Sequence, residues 1–118
     1  MTELGDIDRK IAEMSRLIES TYPAGMDREL VMRRRIDKVG IEFGEVGDAV
    51  EAFTGENPRK GVYGCADDVV RELLDVATSA LGAVAHFNRH QAGAMQQLAE
   101  HVDYVHRRLS AAIAKEKQ

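Results

Sequence analysis

The chain has 118 residues, of which 44% are hydrophobic and 31% charged, with a net charge of −4. That is room for a single domain, residues 1–118, with too much apolar content for a disordered segment. The acidic balance argues against nucleic acid as a partner, and two prolines, three phenylalanines and no tryptophan suit helices better than a β-sandwich. The single cysteine, Cys65, has no intrachain partner for a disulfide and no neighbour at metal-ligand spacing. The opening Met1-Thr2-Glu3 lacks the basic-then-apolar run of a signal peptide. The longest weakly polar run, Val76 to Ala85, is far short of a membrane span. A cytoplasmic protein with no membrane partner is expected.

Four helices follow in chain order. Ile7, Ile11, Met14, Leu17 and Ile18 predict a first helix over residues 6–20, broken by Thr21-Tyr22-Pro23-Ala24-Gly25. A second, over residues 27–53 with Asp27 as N-cap, carries Val39, Phe43, Val46, Val50 and Phe53 as one apolar stripe. Residues 54–66, with three glycines and a proline, form a loop. Asp67 or Asp68 then caps a third helix reaching Asn88, with Val69, Val70, Leu73, Ala77, Ala80, Leu81 and Val84 turned inward. The fourth, over residues 91–115, spaces Met95, Leu98, Val102, Val105, Leu109 and Ala112 as a heptad-like seam for another helix, in this chain or a partner. The fold class expected is all-α, a compact four-helix arrangement. A chain this short gains apolar burial from a second copy, so homodimerisation is expected to complete it.

The acids are unevenly spread. Residues 1–38 hold eight acids and eight bases, whereas residues 39–56 hold five acids and no base. Residues 61–85 set Asp67, Asp68, Glu72 and Asp75 against Arg71 alone. Acid pairs three apart are common here, six in all, so spacing alone decides nothing. Helical geometry narrows the choice. At about 100° per residue, Glu42 and Glu45 border the apolar stripe of the second helix, while Asp48 and Glu51 point elsewhere. On the third helix Asp68, Glu72, Asp75, Ser79 and His86 make a polar stripe with almost no basic side chain beside it. Two uncompensated acidic faces at a helix seam need a cation, and hard oxygen donors suit Mg²⁺ or Mn²⁺.

Glu42-Phe43-Gly44-Glu45-Val46-Gly47-Asp48-Ala49, the loop Gly55-Glu56-Asn57-Pro58-Arg59-Lys60-Gly61, and Arg71-Glu72-Leu73-Leu74-Asp75-Val76 together resemble the MazG-like family of all-α nucleoside triphosphate pyrophosphatases. The family pattern is an ExxE on one helix and an ExxD on the next; the resemblance covers residues 30–90. It implies hydrolysis of an NTP or dNTP to the monophosphate and pyrophosphate, with metal on Glu42, Glu45, Glu72 and Asp75. Two positions depart from the pattern: Ile41 stands where many members double the first acid, and no tryptophan is present to read a base.

Glu45 is the first choice for taking a water proton. Lys38, on the same flank one turn before Glu42, is placed either to touch a phosphate or to pair with Glu42. Arg59 and Lys60 would close over the triphosphate or remain solvated. Asp68 would support the metal shell or cap its helix, and Asn88 would read a base edge. His90, His101 and His106 have no ligand spacing to a carboxylate pair and read as surface residues. The resemblance and the fourth-helix seam together imply a homodimer or a dimer of dimers. The alternatives are a helical dimerisation or adaptor module, and a nucleotide-binding relative without turnover.

Overall fold

The structure, a computed structural model, describes residues 3–117; Met1 and Thr2, on which the reading of the N-terminus partly rested, lie outside it. Its described residues form four helices and no strand: α1 (Leu4–Ser20), α2 (Arg28–Thr54), α3 (Ala66–Phe87) and α4 (Ala94–Glu116). The expected all-α class is the observed one. Among the described residues, no helix is long and apolar enough to cross a membrane.

The helix ends follow local chemistry. Ser20 and Thr21 turn their hydroxyls back onto the Leu17 and Ile18 carbonyls, each at 2.6 Å, where Pro23 forbids α1 from continuing. Gly55 stops α2 in the left-handed region (φ 71°), its N–H donating to the Glu51 carbonyl. The N-cap of α3 is Cys65, and neither Asp67 nor Asp68 holds that position. Asp68 sits at the third helical position, where its carboxylate accepts the Cys65 N–H at 3.1 Å. That bond, with Arg71 at 3.0 Å, holds the Asp68 carboxyl below its ordinary pKa. Capping is therefore the role Asp68 plays here. The α4 N-terminus is capped from across the bundle, because the Asp8 carboxylate accepts the Gly93 and Met95 N–H groups at 2.9–3.2 Å.

Helix α3 is the hub. It runs antiparallel along α2, packs on α1, and meets α4 at its C-terminal end. Ile11, Ala85 and Ala94 form the apolar centre, ringed by Ile7, Leu81, Val84 and Met95. A buried arginine ties the first three helices together. The Arg35 guanidinium donates to the Gly82 carbonyl at 2.9 Å and to the Ser15 hydroxyl at 3.2 Å. Gly82 makes the approach possible: a Cβ there would lie 3.2 Å from Arg35 Nη2.

Two expectations about packing are corrected. The α2 stripe is not buried as a unit, since Val46 is covered while Phe43 is 65% and Phe53 44% exposed. On α3, Val70 and Leu73 are also exposed. The arrangement is open rather than compact: the radius of gyration is 17.9 Å, against about 13.5 Å for a compact chain of this length. The cause is α4, which touches the bundle near its start and leaves every residue from Gln96 to Lys117 exposed.

Candidate functional site: a carboxylate cluster between α2 and α3

Antiparallel packing of α2 on α3 brings the two acidic motifs face to face. Glu42, Glu45 and Glu72 each offer a carboxylate oxygen, all within 4.8 Å of one another. Glu42 lies toward the seam, as the helical angles predict, with its side chain 13% exposed, whereas Glu45, expected to border the seam as well, faces outward. One oxygen of Glu72, Oε2, is buried without a hydrogen-bond partner. An orphaned carboxylate oxygen costs free energy unless something donates to it or coordinates it.

The electrostatics agree. The negative charge of Glu42 and a shared hydrogen bond with it push the Glu45 carboxyl above its ordinary pKa, and Glu72 adds to the rise. A carboxylate facing like charges at this range holds its proton more readily than an isolated one. On the same face Lys38 Nζ lies 3.0 Å from Glu42. That bond, with the charges of Glu45 and Asp75, raises the Lys38 pKa and keeps it a cation. A single ammonium leaves the three glutamates in excess. Their oxygens are the donor set that a hard divalent cation takes, and the orphaned oxygen is the position it would fill.

The other candidates fall at different distances. Asp75 stands one turn beyond Glu72, exposed, outside the tight trio but near enough for its charge to act on Lys38. Arg59 and Lys60 are exposed in the 55–65 loop, where the Arg59 N–H bonds the Asn57 side chain and Lys60 lies over the Tyr63 ring. Asn88 is not brought to the cluster. It ends α3, about 20 Å along the helix from Asp75, and its amide donates to Gln97 at 2.6 Å. A groove lined by Ile11, Met14, Ile18, Thr78, Ser79 and Gly82 opens beside Lys38, with a cavity of about 80 Å³.

A second polar cluster was not legible in advance. Glu19, His86 and His90 converge within 4.8 Å at the far end of α3. His90 is no surface residue: it bonds Ser15 and Glu19, and its side chain is only 16% exposed. The signal available was the four-residue spacing of His86 and His90. What hid it is the partner, Glu19, 71 positions away from His90 in sequence.

Comparison of the chain with models of known protein families, with curated proteins and with solved structures gave no match. The fold and the site thus define a class from their own chemistry: an all-α protein with a carboxylate cluster at a helix seam.

Proposed function

We propose that the chain is a metal-dependent nucleoside triphosphate pyrophosphatase, cleaving an NTP or dNTP to the monophosphate and pyrophosphate. The observation that carries this reading is the convergence of Glu42, Glu45 and Glu72, with one oxygen left unpartnered, beside the Lys38 ammonium. The ExxE and ExxD motifs, and their resemblance to the MazG-like family, supply the reaction class. A bound Mg²⁺ or Mn²⁺ would neutralise phosphate charge and acidify a water molecule. Glu42 and Glu72 hold the site's geometry from the two helices. Glu45 is exposed, and the charge of Glu42 beside it makes its carboxylate a stronger proton acceptor than an isolated one, which suits a group that takes a proton from water. Lys38 can leave Glu42 for a phosphate oxygen, since its own side chain is 57% exposed. Asp75 completes the acidic rim, and Arg59 and Lys60 stand on the loop that joins the two motif helices.

The protein acts in this reading as a homodimer or a dimer of dimers in the cytoplasm. The competing reading, a helical adaptor module, draws on the exposed apolar seam of α4. One experiment separates them: pyrophosphate release from a panel of common and damaged (d)NTPs with Mg²⁺ or Mn²⁺. Turnover is expected for at least one nucleotide, with kcat falling about 10²–10⁴-fold in Glu45→Gln. Absence of release from every nucleotide, or undiminished activity in Glu45→Gln, refutes the enzyme.

A further inference from the structure

We propose that Glu19, His86 and His90 form a second metal site, for a late first-row divalent cation of the Zn²⁺ or Co²⁺ kind. The site lies near one end of α3, about 21 Å along the helix from Glu72, and is chemically unlike the glutamate cluster. Each of the three residues offers one ligand atom, and the atoms lie within 4.8 Å of one another. The decisive member is His86. Its side chain is 8% exposed, and its Nδ1 is buried with no hydrogen-bond partner, 3.9 Å from Glu19 Oε1. Two donors on one tetrahedral Zn²⁺ sit about 3.4 Å apart, so a small closure would bring both into coordination.

The surroundings hold these ligands as metal sites hold theirs. His90 Nδ1 lies 2.8 Å from the Ser15 hydroxyl, which in turn accepts from Arg35 at 3.2 Å. That outer bond fixes the ring and turns Nε2 toward Glu19. The backbone is committed to the same end. Arg89 and His90 both occupy the left-handed region (φ 57° and 62°), and the His90 carbonyl accepts from Arg16 at 2.6 Å. Glu19 Oε1 meets Arg28 at 2.7 Å, but the Arg28 side chain is 69% exposed and its charge is screened by water. Arg35 is committed to Gly82 and Ser15. Two imidazoles with a single carboxylate offer too few oxygens for Mg²⁺ and suit a borderline metal, with water free to fill a fourth position.

Cobalt(II) reads the site directly, because nitrogen donors in a low-coordinate geometry give strong visible d–d absorption. The experiment is a Co²⁺ titration of the full chain carrying Glu42→Gln, Glu45→Gln and Glu72→Gln, so that the three converging carboxylates of the other cluster are removed. One equivalent is expected to bind with saturable absorption, to be displaced by Zn²⁺, and to resist excess Mg²⁺. Adding His86→Gln or His90→Gln should abolish the bands in protein whose helical circular dichroism is retained. Ser15→Ala should weaken binding about 10–100-fold through His90, and Arg28→Ala, which removes a cation from a solvated rim, should tighten it. Saturable bands that survive both histidine substitutions, ready displacement by Mg²⁺, or no bands at all would overturn the site. Failure of the pyrophosphatase assay would leave this result untouched, since the titration reads metal absorption at the histidines and not turnover.

Discussion

His86 is packed into the end of the bundle, with its side chain 8% exposed. Burial pushes its pKa below the ordinary 6.5; Glu19 pulls the other way, and Arg35, His90 and Arg28 add to the lowering. Glu19 is shifted down as well. Burial works to raise it, but the bonds from His90 and Arg28 outweigh that effect. Both groups therefore bind protons more readily in the unfolded chain, and stability rises with pH wherever that holds. The contribution of His86 is complete above about pH 6.5 and is lost as pH falls toward its folded value. That of Glu19 follows lower, through the carboxylate range. In chelator-treated protein, the unfolding free energy measured with urea is expected to fall on acidification in these two stages, at no more than about 1.4 kcal/mol per pH unit for one group. His86→Gln should flatten the upper stage and leave the lower one. An upper stage unchanged by that substitution would mean that another group titrates there.

At the scale of elements, the ends of the helices carry most of the local information. Gly55 is the sharpest case, because a side chain there meets two obstacles. Its φ of 71° is left-handed, and a Cβ would lie 2.9 Å from Val62 Cγ2. Gly55→Ala is expected to destabilise by about 1–2 kcal/mol, measured by denaturant unfolding. A neutral effect would show that the 55–65 loop relaxes freely. These punctuation signals are why the four helices were legible, with boundaries within about three residues, from Pro23, Gly25 and the Gly55–Gly64 stretch. The place of Glu42 toward the seam was legible for a similar reason, since it depends only on the period of one helix, whereas Glu45, expected beside it, is exposed. The α3 cap was misread because a cysteine thiol is a poor advertisement for an N-cap, whereas the true signal was Asp68 three residues on. His90 was misread because its place depends on two consecutive left-handed residues without glycine, and on α1 side chains distant in sequence. Periodicity also identified apolar faces without saying what covers them, hence the exposed Phe43 and Leu73.

For the whole molecule, the proposed self-association would account for both the open shape and the bare seam. Leu98, Val102, Val105, Leu109 and Ile113 are 36–58% exposed along a helix that leaves the bundle after its first turn. Contiguous apolar surface of this kind marks an interface, and its three-and-four spacing fits a helix of a second copy. Light scattering after size exclusion is expected to give at least twice the 13.1 kDa chain mass. Val105→Asp with Leu109→Asp should shift the protein to the monomer. A wild-type monomer at tens of micromolar, the range where a modest helical interface would assemble, would count against self-association.

The hub position of α3 has a consequence for how the sequence can change in length. Glu72 and His86 belong to different clusters, yet one unbroken helix fixes both their separation and their relative rotation. Inserting or deleting one residue between them turns everything beyond by about 100°, so one cluster must lose a member. The stretches 21–27 and 55–65 carry no such phase relation and sit largely at the surface. Length variation should therefore collect in those two connections, while the interval from 72 to 86 behaves as a ruler whose marks cannot be moved one at a time.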